Sequence, residues 1–164
     1  MILGMPTFTF VHVVLSLVGI GSGFVVLFGL LTAQRLDRWT AIFLASTVAT
    51  SVTGFGFPFE RFLPAHAVGI VSLLLLAIAL WAIYVRRLAG VWRPTYVVSA
   101  VAAQYLNFFA LVVQSFLKVP ALNALAPTQS EPPFLIAQSV APVAFVGLGI
   151  ATMRRFKIEG TPRE

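Results

Sequence analysis

Charge in this chain is confined to short breaks, and between the breaks run apolar stretches long enough to cross a lipid bilayer. A hydrocarbon core of about 30 Å takes roughly 20 helical residues, and five stretches meet that length, approximately 8–31, 39–57, 64–85, 95–117 and 133–153. Arg35, Asp37 and Arg38 close the first, Glu60 and Arg61 the second, Arg86 and Arg87 the third, Lys118 the fourth, and Arg154, Arg155 and Lys157 the fifth. Only 10% of the 164 residues are charged, against about a quarter in a soluble domain, which leaves too little polar surface to face water. The expected fold class is therefore an all-α membrane protein, a single domain over 1–164 built as a bundle of five transmembrane helices.

The charges also predict an orientation. Arg35, Arg38, Arg86, Arg87, Arg93, Arg154, Arg155, Lys157 and Arg163 fall on one side of the five expected spans, and Arg61 and Lys118 on the other. By the positive-inside rule the N-terminus is outside and the C-terminus cytoplasmic. Trp39, Trp81, Trp92, Tyr84 and Tyr96 lie near the same cytoplasmic ends, where amphipathic rings prefer to sit. No Lys or Arg precedes the first apolar stretch, as a secretory signal would require, so the first helix is expected to remain as a span. The basic residues are spread over short segments rather than gathered into the patch that nucleic acid would need. The lipid bilayer, through its anionic headgroups, is their expected partner.

Several chemistries are excluded by what the chain lacks. It has no cysteine, hence no disulfide, thiolate metal site or cysteine nucleophile. Asp37, Glu60, Glu131, Glu159 and Glu164 all fall in loops, tails or span ends, so a relay of buried carboxylates and an aspartyl protease have no acid to use. Ser22 lies in GIGSGF without the surrounding motif or base of a serine hydrolase. No catalytic residue is predicted.

Neutral polar residues remain inside the spans. At 100° per residue, His12, Ser16, Gly19 and Gly23 fall within about 60° of one another on the first helix. Ser46, Thr50 and Thr53 repeat at i, i+4 and i+7 on the second, with Thr47, Ser51 and Gly54 alongside. On the fourth, Gln104, Asn107 and Gln114 lie within about 80°. Amides have no good partner in lipid, so these faces are expected to point inward. In the fifth, Pro142 removes the hydrogen bond to the carbonyl of Gln138, placing a freed carbonyl beside an amide. His12 and His66, the only histidines, are expected at similar depth in the outer half. Arg61 and Glu60 border that side, as do Lys118 and Glu131 from the loop KVPALNALAPTQSEPP, whose prolines predict an ordered lid.

The stretches HVVLSLVGIGSGFVV, ATSVTGFGFPF, PAHAVGI and FLKVPALNALAPTQSEPPF resemble an uncharacterised family of small polytopic bacterial inner-membrane proteins. The resemblance covers most of the chain and implies a multi-pass protein of the bacterial inner membrane. It brings no activity, cofactor or catalytic residue.

Three functions fit these residues. The first is a binding or accessory protein with an outward-facing polar pocket drawn from His12, Ser16, Thr50, Arg61, His66, Gln104, Asn107, Gln114 and Gln138, holding a small molecule, a quinone-like headgroup or a partner membrane subunit without catalysis. The second is a b-type haem and quinone redox protein with His12 and His66 as axial ligands. The third is a facilitated transporter of a small neutral solute, using the hydroxyl face of the second helix and the amide face of the fourth. Small-residue faces also offer contacts for a homo-oligomer.

Overall fold

The computed structural model describes residues 6–57 and 64–156, and among them all regular structure is helical. The elements are α1 (Thr7–Leu31), α2 (Asp37–Gly54), α3 (Pro64–Leu80), α4 (Trp92–Lys118), α5 (Pro120–Leu125) and α6 (Pro132–Arg155). α3 is prolonged by a π-helical turn over Trp81–Val85. Four helices are long and apolar enough to cross a membrane: α1, α3 with its π turn, α4 and α6. The expected second span is a helix of 18 residues, α2, and it does not join those four. Asp37 and Arg38 open it, and Thr40, Ser46, Thr47, Thr50, Ser51 and Thr53 interrupt its apolar residues.

The ends follow from local chemistry. Pro6 precedes the first turn of α1, and Pro132 and Pro133 open α6, positions where a missing N–H costs nothing. Asp37 sits in the first turn of α2, while Lys118, Arg154 and Arg155 sit in the last turns of α4 and α6, each sign favoured by the helix dipole there. After the π turn, Leu88 N–H donates to Ala82 O and Arg87 and Leu88 take positive φ, which folds the Leu88 side chain back into the core. The expected external loop contains one more short helix than anticipated, α5.

α1 packs most extensively against α2, α2 also against α3, α3 against α4, and α4 back against α1. These helices form a ring, and α6 lies along its α1–α4 side. The buried apolar side chains gather in the half nearer the arginines: Leu27, Leu30, Phe43, Leu44, Leu76 and Val97 are among them. Tyr96 joins this core at 1% exposure, so it departs from the expected interfacial belt, whereas Trp39, Trp81 and Tyr84 are exposed there. The outer surface of the ring is apolar, most of all on α6, where Val143 is 72% exposed.

Candidate functional site

In the half of the bundle away from the arginines, polar side chains of α1, α2 and α4 meet along one seam. At the end farther from the arginines the His12 ring contacts the Thr53 hydroxyl, Nδ1 to Oγ1 at 2.8 Å. Thr53 in turn donates to Ala49 O at 2.7 Å. With the Thr53 proton given to Ala49 O, the hydroxyl oxygen remains an acceptor for an N–H at His12 Nδ1. The ring also packs edge-on against Phe57, centroids 5.1 Å apart.

At the inner end of the seam, Asn107 Nδ2 donates to Thr47 Oγ1 at 3.0 Å. Gly19 faces the same hydroxyl: a Cβ there would stand 3.1 Å from Thr47 Oγ1 and 3.3 Å from Ser46 Oγ. Small residues let two membrane helices approach this closely. One turn further, Gln104 Nε2 donates to the main-chain carbonyl of Ile20 at 2.9 Å, and its carboxamide fills the space over Gly23. Gln104 is wholly buried and ties α4 to α1.

Between these ends lies Thr50. The pairs His12–Thr53 and Gly19–Thr47 set an antiparallel register that brings Ser16 to the level of Thr50. Ser16 donates to His12 O at 2.8 Å, which leaves its oxygen as an acceptor. The Thr50 hydroxyl is buried without a hydrogen-bond partner. The seam is thus closed by hydrogen bonds at both ends, with one unused hydroxyl facing the level of another's lone pairs in the middle. It carries no carboxylate, lysine or arginine among the described residues, and His12 is its one titratable group, so its hydroxyls and amides can hold a neutral donor or acceptor.

The other expected site residues lie apart. His66 is buried on α3, with its ring 5.7 Å from that of Phe55. His12 therefore takes Thr53 and Phe57, and His66 takes Phe55. The two imidazoles lie against different residues, at and just past the C-terminal end of α2. Gln114 is exposed near the C-terminal end of α4, so the amide face does not turn inward along its whole length. α1 comes close at Gln104 through Gly23, whereas Gln114 is left exposed among the described residues. The Gln138 amide is buried on α6 without a partner for either polar atom, on the face it shares with Ala141 and Phe145. Arg61 lies outside the described residues.

The loop before α6 is ordered by its own bonds. The Glu131 carboxylate accepts from the Thr128 hydroxyl at 2.8 Å and from the N–H groups of Thr128 and Ser130. Partial desolvation pushes its pKa up, the donors outweigh that, and the carboxyl is held below its ordinary value. Gln129 Nε2 reaches back to Val113 O at 2.9 Å. The expected lid is thus bound down to the C-terminal end of α4.

A shallow groove of about 350 Å³ runs along α6, lined by Pro132, Leu135, Ile136, Ser139 and Val140. All five belong to one helix and only Ser139 is polar, so the groove offers no chemistry that the seam lacks. Sequence reasoning passed over Thr47 and Thr53 as site members although their hydroxyl repeat was visible. The Ile20 carbonyl carried no signal, because every residue has one. Compared with protein-family models, curated proteins and solved structures, the chain matches none.

Proposed function

We propose that the chain is a five-span protein of a bacterial inner membrane, N-terminus outside and C-terminus cytoplasmic. In this reading it holds a small neutral polar ligand, or the headgroup of a lipid-soluble one, in the seam between α1, α2 and α4 without transforming it. It acts as a binding or accessory component.

The fifth crossing is supported by the way α2 divides its residues. Past its first turn the exposed positions are apolar, Ala41, Ile42, Ala45 and Val52, while Ser46 and Thr47 are buried. Phe43 and Leu44 are buried with them, so both faces of this part of α2 carry apolar side chains; a helix facing water would expose polar ones, and an apolar exposed face suits lipid. The binding reading is carried by the Thr50 hydroxyl. A buried hydroxyl left unpaired costs about 1–3 kcal/mol, a cost that a ligand group hydrogen-bonded to Thr50 and Ser16 would remove. Thr47, Asn107, His12 and Thr53, already paired, fix the walls.

The test compares organic extracts of detergent-purified wild type, Thr50→Val and Asn107→Leu by mass spectrometry. A compound enriched with the wild type and depleted in both variants supports the reading. Identical extracts from three equally stable proteins reject it.

A further inference from the structure

At one corner of the arginine-rich end, the ends of α3, α4 and α6 meet. Two guanidinium groups are held there by the fold. Arg86 lies over the Trp92 ring, 5.3 Å from its centroid, and Arg93 donates to the main-chain carbonyl of Phe156. Both supports belong to the packed bundle: Phe156 is part of the buried core and Trp92 packs against it. An arginine stacked on an indole keeps its N–H edges free, and that planar fork matches the oxygens of a phosphate.

The surroundings add charge of one sign. Arg87 follows Arg86, Arg154 and Arg155 precede Phe156, and all three are exposed. Of the described carboxylates, Asp37 is taken by Arg35 at 2.5 Å and Glu131 lies at the opposite end of α6. Next to the corner, Trp81, Val85 and Val91 are exposed. The corner therefore combines two positioned forks, a cationic rim and an apolar flank, which are the complements of a phosphate, a net negative headgroup and an acyl chain.

We propose that this corner binds the phosphate of an anionic glycerophospholipid, with Arg86 and Arg93 gripping it, Arg87, Arg154 and Arg155 supplying the surrounding charge, and the acyl chains lying against Trp81 and Val85. The inference rests on the reading that the arginine-rich end lies at a membrane surface. It goes beyond general basicity, because it assigns the lipid to one corner and leaves the Arg35 side out.

Native mass spectrometry of the full chain in neutral detergent, titrated with phosphatidylglycerol or phosphatidylcholine, tests it. The expected result is that the wild type retains phosphatidylglycerol over phosphatidylcholine by about tenfold, the scale of one charge-assisted hydrogen bond. Arg86→Gln should lose most of that preference, Arg86→Lys should keep only part, and Arg35→Gln should keep it all. Arg154→Gln/Arg155→Gln, which alters only exposed side chains, should weaken it and stands in if Arg86→Gln fails to fold. Equal loss in Arg35→Gln, or no preference in the wild type, overturns the proposal. So does full displacement by millimolar inorganic phosphate, which would make soluble phosphate the ligand. Carbonate extraction of cell membranes reports separately on the spans, so failure of the membrane reading is distinguishable from failure of the lipid site.

Discussion

At Gly23 the absence of a side chain is a packing requirement. A Cβ there would overlap Gln104 Oε1 and stand 2.9 Å from Phe43 Cε2. Gly23→Ala should therefore expel the Gln104 carboxamide, break its bond to Ile20 O and cost about 1–3 kcal/mol, the usual range for overpacking. Gly21 is the internal control: nothing lies within 4 Å of its missing Cβ, and Ala is preferred over Gly in a helix by up to about 1 kcal/mol. Thermal unfolding in detergent should show a lower midpoint for the first variant and an unchanged or higher one for the second. Equal midpoints would mean that Gln104 moves aside freely. Both glycines look alike in the sequence, and only what stands opposite separates them. The same holds for Gln104 and Gln114, which share a helix face while one is buried and the other exposed.

At the scale of elements, α6 is the least enclosed of the four long apolar helices. Its Gln138 amide is buried without a partner, and Pro142 withholds the N–H that the Gln138 carbonyl would otherwise accept. Gln138→Leu should remove the amide's desolvation cost, about 1–3 kcal/mol, and raise the unfolding midpoint; a lower midpoint would show that the amide is paired in the membrane. The turn before α6 should respond to pH. Because the Glu131 pKa is depressed, its bonds contribute fully above the ordinary carboxylate range and are lost as pH falls through the lowered value. Amide exchange at Thr128 and Ser130, corrected for intrinsic rates, should stay protected to mildly acidic pH and lose protection below it; protection independent of Glu131→Gln would contradict that account. The prolines and the Thr-Gln-Ser-Glu run were visible in the sequence as a constrained loop. The fold of that loop onto Val113 was not, since Gln129 reaches a backbone carbonyl that no residue type marks.

For the whole molecule, α2 decides how many times the chain crosses. It contains no cysteine, so single cysteines at Ala33, Arg87 and Gln129 report on sidedness without background. If α2 crosses, Ala33 and Arg87 share one side and Gln129 takes the other; if it does not, Ala33 and Gln129 share a side and Arg87 stands opposite. An impermeant maleimide on spheroplasts and on inverted vesicles reads out the pattern, and labelling of Gln129 alone in spheroplasts is the expected outcome. The helical class and the apolar stretches followed from sequence alone, because hydrocarbon thickness sets a length that composition either supplies or does not. The arginine-rich end was legible for a similar reason, since a charge must stay near water wherever the chain folds. Which polar groups meet depended on tertiary structure. His12 and His66 share an expected depth, yet His12 meets Thr53 and Phe57 while His66 meets Phe55 just past the end of α2, and the seam of Thr47, Thr50 and Thr53 exists only because Gly19 and Gly23 let α1 come within reach of α2 and α4. Periodicity states the angle at which a side chain leaves its own helix, whereas a hydrogen bond depends on what stands opposite, and that is decided by how the helices pack.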